Sequence, residues 1–153
     1  KGKEPPRVSG IKQPLIDKNI LNEYREVPPV LVVEDNEANR RLASLQIRKL
    51  GLEVETANNG LEAVQFSNNK DFSVILMDCQ MPVMDGYQAT RRIREREKDN
   101  GMHTPIIAMT ANVMQEALDE CLVSGMDDYL TKPVSWDRLR DLLTKWIGER
   151  KAR

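Results

Sequence analysis

Four short apolar runs in this chain of 153 residues each end on a side chain suited to phosphate chemistry. Residues 74–77 lead directly into Asp78 and then into a turn, which presents this carboxylate as a nucleophile for phosphate. The other three runs end on an acidic pair, a hydroxyl group and an ammonium group, which are Glu34 with Asp35, Thr110, and Lys132. Parallel strands bring their carboxyl ends to one end of a sheet, where ligands bind. If the runs are parallel strands, these side chains form one site.

The acidic members of this site repel one another. Two unit charges about 4 Å apart, at an effective dielectric constant of about 20, interact by on the order of 4 kcal/mol. A divalent cation would relieve the repulsion, and an all-oxygen set with few protein ligands is typical of Mg²⁺ rather than zinc. We expect Asp35 and Asp78 to bind the ion directly. Lys132 can pair with Asp78 in the empty site and with a phosphoryl oxygen in the occupied one, while Thr110 offers a hydroxyl donor.

From residue 30 onward, short apolar runs alternate with segments of helical period, a pattern typical of βαβ units around a parallel sheet. Five strands are predicted, at residues 30–34, 53–57, 73–78, 105–109 and 128–131. The second alternates polar and apolar residues as an edge strand does, whereas the other four have the composition of strands buried on both faces. Helix starts are indicated at Asn36, at Asn112 with Gln115 as a capping box, and at Ser135, and helix ends at Gly51 and Gly125.

Composition limits the classes of function. The length suits one buried core, and a net charge of −1 without blocks of like charge gives no indication of direct nucleic-acid binding. The arginines within residues 91–96 lack interleaved aromatic residues, so we interpret them as a solvated helix face. No apolar run approaches the roughly 20 residues that span a bilayer, so we expect no membrane contact by this segment. Cys79 and Cys121 lack metal-ligand spacing and are predicted to be reduced core thiols.

The first 28 residues differ from the rest of the chain. They contain prolines at positions 5, 6, 14 and 28 and one short amphipathic stretch, so we predict a linker or N-terminal extension with at most one short helix. The folded domain is predicted at residues 29–148 and a C-terminal tail at residues 149–153. Because the chain begins at Lys1 without Met, we expect it to be part of a larger protein.

Four segments together resemble the receiver domain of two-component response regulators. They are Leu31–Asn36, Met77–Gly86, Met109–Asn112 and Leu130–Pro133. The resemblance implies a flavodoxin-like α/β fold, a three-layer sandwich with five helices around five parallel strands in the order 2-1-3-4-5. It also implies that Asp78 accepts a phosphoryl group from a histidine of a partner. The domain would catalyse its own phosphorylation and dephosphorylation, and would switch conformation or relay the group onward.

The resemblance also implies the details of the metal site. Asp35 and Asp78 would bind Mg²⁺ together with the backbone carbonyl of Gln80, and Glu34 would reach the ion through a water molecule. Mn²⁺ could take the place of Mg²⁺. Glu34 stands where most members of the family have Asp, which lengthens the side chain without removing its charge.

Further residues match positions with a role in switching. Thr110 and Tyr129 match the switch pair of the family, and Lys132 matches its invariant lysine. The Lys132–Pro133 bond is usually cis in such domains. Two positions that tune how water reaches the phosphoryl group are occupied by Gln80 and Asn112.

Two other functions use similar residues. Phosphatases of the haloacid dehalogenase group also have a strand-end aspartate, but theirs belongs to an Asp-x-Asp motif. In this chain Gln80 stands where that motif has its second Asp. Their acidic pair follows the nucleophile, whereas Glu34 and Asp35 precede Asp78. A receiver-like interaction module that is never phosphorylated generally lacks one or more of these groups, and this chain has all of them.

The pattern most resembles the C-terminal receiver of a hybrid histidine kinase, and a free-standing single-domain response regulator is the alternative. The expected partners are a histidine kinase domain, a histidine phosphotransfer domain, or both. They would dock on the first helix near Asn39, Arg40 and Leu42. We expect a cytoplasmic domain, whose parent protein could be anchored in a membrane.

Overall fold

The computed structural model describes residues 27–152, in which five strands alternate with five helices. The strands are β1 Val30–Val33, β2 Val54–Ala57, β3 Val74–Asp78, β4 Ile106–Thr110 and β5 Asp128–Thr131. The helices are α1 Glu37–Lys49, α2 Gly60–Asn69, α3 Gly86–Asn100, α4 Gln115–Ser124 and α5 Trp136–Ala152. All neighbouring strands are parallel, in the order β2-β1-β3-β4-β5, so the predicted fold and strand order are confirmed.

The predicted strand boundaries need small changes. Predicted and observed strand ends differ by at most one residue, and α5 continues through Ala152, beyond the expected domain end at residue 148. The short helix considered for residues 1–28 lies outside the described residues, apart from Val27 and Pro28. Of the five helices in residues 27–152, none combines the length and the apolar character needed to cross a bilayer.

The three central strands explain the layered architecture. Every residue of β1, β3 and β4 is buried, and successive side chains point to opposite faces of the sheet. On one face Val32 and Leu76 pack in a cluster with α1 and α5, and on the other Val33 and Met77 pack with α2, α3 and α4. Full burial of a Val, Leu or Ile side chain contributes about 1.5–3 kcal/mol, so these strands contribute strongly to the stability of the fold.

The prediction of burial on both faces was wrong for β5. In β5 only Leu130 is buried, while Asp128 and Tyr129 are half-buried and Thr131 is exposed. The physical reason is the strand order, which places β5 at the edge of the sheet with β4 as its neighbour. The expected order 2-1-3-4-5 already implied this edge position, whereas the composition of the strand alone did not show it.

Capping at most helix ends follows the sequence signals. The Asn36 side chain accepts a hydrogen bond from the backbone N–H of Asn39 at 2.9 Å, and Gly125 ends α4 with φ of 110°. The predicted capping box of Asn112 with Gln115 was wrong. The helix α4 begins later, after Met114, and its start has no side-chain cap. The Asn112 side chain instead accepts a hydrogen bond from the Met114 N–H at 2.9 Å and stabilises the turn before the helix.

A polar cluster at the amino end of the sheet corrects the prediction for the α3 arginines. Arg94 is half-buried, and its guanidinium donates to the side chains of Glu97 at 2.6 Å and Asp127 at 2.8 Å. It also donates to the carbonyl oxygens of Thr104 and Gly125. Arg94 therefore ties α3 to the segments that precede β4 and β5, and only part of the arginine-rich face is solvated. The i, i+3 spacing of Arg94 and Glu97 could be read from the sequence, but the partners of Arg94 in other segments could not.

The two cysteines lie in the core as predicted. Cys79 and Cys121 are free and buried, with their Sγ atoms 3.9 Å apart. Burial raises the pKa of the Cys79 thiol to about 12. Both side chains are therefore neutral packing groups at physiological pH.

The first residue of α3 is predicted to tolerate no side chain. A Cβ atom on Gly86 would lie 2.3 Å from the Asp78 carbonyl oxygen, whereas one on Gly101 would meet nothing within 4 Å. Gly86→Ala should lower the free energy of unfolding by about 2–3 kcal/mol, because the start of α3 must move away from the Asp78 backbone. Gly101→Ala, the control, should cost about 1 kcal/mol through its φ of 72° alone. Urea unfolding measures both, and a larger loss for Gly101→Ala would contradict the close approach of Gly86 to the Asp78 backbone.

Candidate functional site

The register of the sheet brings the predicted site residues to one end. Parallel pairing places Val33 beside Met77, Asp78 beside Met109 and Thr110 beside Thr131. The residues that follow these positions therefore surround the same point. Backbone hydrogen bonds extend the pairing beyond the strands, from Glu34 N–H to the Ala57 carbonyl at 3.1 Å and from Lys132 N–H to the Thr110 carbonyl at 2.9 Å.

Three carboxylates form the acidic part of the site. Glu34, Asp35 and Asp78 each place an oxygen atom within 4.8 Å of the others. Glu34 and Asp78 are buried, while Asp35 is exposed. An all-oxygen set that is partly open to solvent fits a hard divalent cation that keeps several waters. These are the residues that could hold such an ion.

Lys132 lies between the two buried carboxylates. Its Nζ atom is 3.0 Å from Oε1 of Glu34 and 3.1 Å from Oδ1 of Asp78. Burial lowers the pKa of Lys132, but its hydrogen bonds to Glu34 and Asp78 outweigh this effect and raise the pKa above its usual value. Pairing with Asp78 was predicted, whereas pairing with Glu34 was not. The extra methylene group of Glu, compared with Asp, extends the reach of its carboxylate.

Asp78 is held in one orientation by two donors. Its Oδ1 atom accepts from Lys132 Nζ and from the backbone N–H of Gln80, the latter at 3.2 Å. Burial raises the pKa of Asp78 from its ordinary value of 3.8 to about 6. The Gln80 N–H opposes the increase, Glu34 adds to it and Lys132 opposes it. A metal-free Asp78 is thus an unusually basic carboxylate.

Glu34 and Arg40 are linked through the start of α1. The second carboxylate oxygen of Glu34 accepts from the Asn36 N–H at 3.2 Å, and the Arg40 guanidinium donates to the Glu34 carbonyl at 2.9 Å. Sequence reasoning named Arg40 as a docking residue, but this hydrogen bond gives it a structural role. Asn39 is exposed, and Leu42 is 53% exposed, so both are available on the surface of α1.

Most of the remaining predicted residues lie at or just beyond the carboxyl ends of β3, β4 and β5, whereas Tyr129 lies within β5. Thr110 is buried, and its hydroxyl group donates to the Asn112 carbonyl and accepts from the Asn112 N–H, both at 3.0 Å. Tyr129 is half-buried against the cluster that contains α4. Gln80 is exposed, and the Lys132–Pro133 peptide bond is cis.

Gly86 is a positioning residue that sequence reasoning missed. Its N–H donates to the Cys79 carbonyl at 3.1 Å, and its missing side chain lets α3 begin against the Asp78 backbone. The pair Asp85 and Gly86 carried a signal, since Asp85 caps α3 by accepting from the Gln88 N–H at 2.9 Å. The close approach to Asp78 could not be read from that signal.

The raised pKa of Asp78 predicts how the stability of the metal-free protein depends on pH. The folded state binds this proton more tightly than the unfolded chain, so the free energy of unfolding should fall as pH rises from about 4 to about 6 and stay low above it. Asp78→Asn should remove this fall and be more stable at pH 7 by on the order of 2 kcal/mol.

Urea unfolding with chelator at several pH values measures this effect. Asp99→Asn, an exposed carboxylate of α3, is the matched control and should change stability by less than about 0.5 kcal/mol. Earlier unfolding of Asp78→Asn at pH 7 would show that the crowded carboxylates do not destabilise the fold.

Comparisons with known proteins agree with this geometry. The family described as the response regulator receiver domain matches residues 30–144. The sensor protein GacS of Pseudomonas syringae pv. syringae is 44% identical over 122 residues, which are 79% of this chain and 14% of GacS. The chain spans between 6% and 16% of the length of eight relatives that it matches.

Two solved structures are similar over nearly their whole length. One is a complex of the Saccharomyces cerevisiae phosphotransfer protein Ypd1 with the receiver domain of Ssk1, with a TM-score of 0.77 and 36% identity, covering 81% of this chain and 91% of that one. The other is the receiver domain of sensor histidine kinase PA1611 of Pseudomonas aeruginosa PAO1 with Mg²⁺ in its active-site cleft. It has a TM-score of 0.73 and 43% identity, covering 80% of this chain and 98% of that one. The chain therefore belongs to the family of response regulator receiver domains.

Proposed function

We propose that this domain accepts a phosphoryl group on Asp78 from a phosphohistidine of a partner protein, in a reaction that depends on Mg²⁺. The contact of Asp78 with Lys132, inside the acidic cluster with Glu34 and Asp35, is the observation that carries the proposal. It combines a nucleophile, a cation and a group of metal-binding oxygens within one small site.

The geometry supports attack by the Oδ2 atom of Asp78. Lys132 and the Gln80 N–H both engage Oδ1 and hold the carboxylate still. As Oδ2 forms a bond to phosphorus, the bond from phosphorus to the histidine nitrogen breaks, and that nitrogen keeps the electron pair. Lys132 then faces the transferred phosphoryl oxygens and stabilises their charge. Burial of Asp78 excludes most solvent from the reacting atoms.

Magnesium would be held by Asp35 and Asp78, by the Gln80 carbonyl and, through a water molecule, by Glu34. When bound, it supplies positive charge that neutralises the carboxylates and the phosphoryl oxygens. The acidic cluster supports this assignment, as does the Mg²⁺ in the similar receiver domain of PA1611. We extend the proposal to Mn²⁺, because it also takes oxygen ligands.

We further propose that Thr110 and Tyr129 act as the switch. The Thr110 hydroxyl is engaged with the Asn112 backbone in the unphosphorylated protein, so contact with a phosphoryl oxygen requires it to leave these bonds. Tyr129 is half-buried and can follow this movement. Phosphorylation then shifts the population between two packed states of the face formed by α4, β5 and α5. Gln80 and Asn112 border the site and would tune the attack of water.

For partners, we propose a histidine kinase domain, a histidine phosphotransfer domain, or both, docking beside Asn39, Arg40 and Leu42. The complex of Ypd1 with the similar Ssk1 receiver supports this class of partner. The sensor kinases among the relatives support an origin in a hybrid histidine kinase, with residues 29–148 as its receiver. A cytoplasmic location follows from this proposal, since histidine kinases draw their phosphoryl group from ATP.

Labelling with a small phosphoryl donor tests the chemistry directly. With Mg²⁺ and acetyl phosphate, the intact protein should gain the mass of one phosphoryl group, and Asp78→Asn should gain none, because it lacks the nucleophile. Asp85→Asn, which changes a carboxylate of the same loop, should still be labelled. If the folded parent protein is labelled neither by acetyl phosphate nor by phosphorylated Ypd1, a receiver-like interaction module would be favoured instead.

Metal binding is tested separately through stability. Mg²⁺ at about 100 times its dissociation constant should raise the free energy of unfolding by about 2.7 kcal/mol, because it binds the folded acidic cluster. Asp35→Asn should lose most of this gain, whereas Glu37→Gln, an exposed acidic residue of α1, should keep it. Thermal unfolding and calorimetric titration measure the effect. If Mg²⁺ raises the free energy of unfolding equally in the two variants, the ion binds elsewhere.

A further inference from the structure

The two cysteines of the chain form a pair of thiols between the end of β3 and α4. Cys79 directly follows Asp78, and Cys121 lies on α4. Their Sγ atoms are 3.9 Å apart, whereas the sulfur atoms of a disulfide bond are about 2.05 Å apart. The two sulfurs are therefore in contact but not bonded. Because the chain contains no other cysteine, an internal disulfide bond would have to join these two.

The backbone of Cys79 is held on both sides. Its N–H donates to the Met109 carbonyl at 3.1 Å, which extends the pairing of β3 with β4. Its carbonyl accepts from the Gly86 N–H at 3.1 Å. A cross-link to the Cys79 side chain would therefore act on a segment with little freedom to adjust.

Cys121 lies near the end of α4 that other segments hold in place. Its carbonyl accepts from the Met126 N–H at 3.0 Å and from the Ser124 hydroxyl at 2.8 Å. Just before it, the Glu120 carboxylate accepts from Arg91 of α3 at 3.0 Å. We therefore expect the Cys121 sulfur to stay beside Cys79 when the uncapped start of α4 moves.

Burial protects this pair from rapid oxidation. Cys79 is 1% exposed and Cys121 is 4% exposed, and neutral buried thiols react slowly. Hydrogen peroxide is small and uncharged, so brief local openings around α4 are enough to admit it. A single buried thiol, once oxidised, would have no partner, whereas here the first oxidised sulfur already touches the second.

We propose that Cys79 and Cys121 form a reversible disulfide bond when a peroxide oxidises them, and that this bond slows phosphoryl transfer to Asp78. The pair would make the domain responsive to oxidants as well as to its phosphoryl donor. Intracellular disulfides are usually transient and redox-sensing, which fits a pair that is reduced in the resting protein. The effect on transfer rests on the proposed function, whereas the disulfide itself does not.

The oxidation is balanced by two molecules of water. One thiol sulfur attacks a peroxide oxygen, the O–O bond breaks, and a sulfenic acid and the first water form. The second sulfur then attacks the first, the S–O bond breaks, and the hydroxyl group leaves with the second thiol's proton as water. The two thiols together lose two electrons and two protons, and the peroxide is reduced. A small dithiol reverses the reaction by exchange.

The position of Cys79 explains why the bond would slow the transfer. Its neighbours are Asp78, the proposed nucleophile, and Gln80, whose carbonyl is a proposed metal ligand. The sulfurs are 3.9 Å apart, so α4 or the segment of Cys79 must shift before they bond. A misplacement of about 1 Å at a reacting centre lowers a rate by up to about 100-fold. The cross-link would also tie α4 to the segment that follows Asp78 and oppose its movement.

The test treats the folded protein with hydrogen peroxide and measures two quantities. Free thiols are counted with a maleimide after the peroxide is removed and the protein is unfolded in urea. The reduced protein should bind maleimide at both cysteines, and the oxidised protein at neither, while it remains a monomer on a non-reducing gel. The rate of labelling by acetyl phosphate with Mg²⁺ should fall about tenfold on oxidation and return after treatment with dithiothreitol.

Variants with one thiol are the matched controls. Cys121→Ala and Cys121→Ser cannot form the internal bond, so both should keep their labelling rate after the same peroxide treatment. Using two replacements ensures that the comparison does not depend on the folding of one. They also report any effect of methionine oxidation, which dithiothreitol does not reverse.

The outcomes separate this inference from the proposed function. If the reduced parent protein is not labelled, the proposed function fails and with it the effect on transfer, while the thiol count still decides whether the disulfide forms. Two free thiols after peroxide treatment of the folded protein would refute the disulfide. A disulfide that leaves the labelling rate unchanged would refute its effect on transfer. An equal loss of labelling in the variants with one thiol would assign the effect to oxidation elsewhere and overturn the proposal.

Discussion

The crowding of three carboxylates at the carboxyl end of the sheet is the constraint on which the site depends. Glu34 and Asp78 follow or end neighbouring strands, so the parallel register forces their charges together. Lys132 relieves part of this repulsion by bonding to both. The remaining excess of negative charge makes the site receptive to further cations. The crowding that we expect to destabilise the metal-free protein therefore also favours the binding of a divalent cation.

The buried strands make such a site possible. All residues of β1, β3 and β4 are buried between two helical layers, so their ends are fixed relative to one another. Gly86 extends this precision past the end of β3, because α3 begins in direct contact with the Asp78 backbone. Hydrophobic burial thus offsets the electrostatic cost and also positions the charged groups.

The fold and the members of the site could be predicted because they depend on local patterns. Apolar runs mark the strands, and strand ends mark the places of Asp78 and Lys132. Contacts between distant segments were less accessible to sequence reasoning. The second partner of Lys132 and the partners of Arg94 depend on packing in three dimensions. The capping box at Asn112 failed because two local hydrogen-bond patterns compete for the same side chain, and the turn prevailed.

The two ends of α4 differ in the hydrogen bonds that hold them in place. Its first turn has no side-chain cap and follows directly from the loop that contains Asn112, the hydrogen-bond partner of Thr110. Its last turn ends at Gly125, whose carbonyl is bound by Arg94 within the polar cluster. A helix that is held at one end responds to a displacement of its other end by tilting rather than by sliding along its axis. A displacement of the loop after Thr110 would therefore tilt α4 about the end that Arg94 holds.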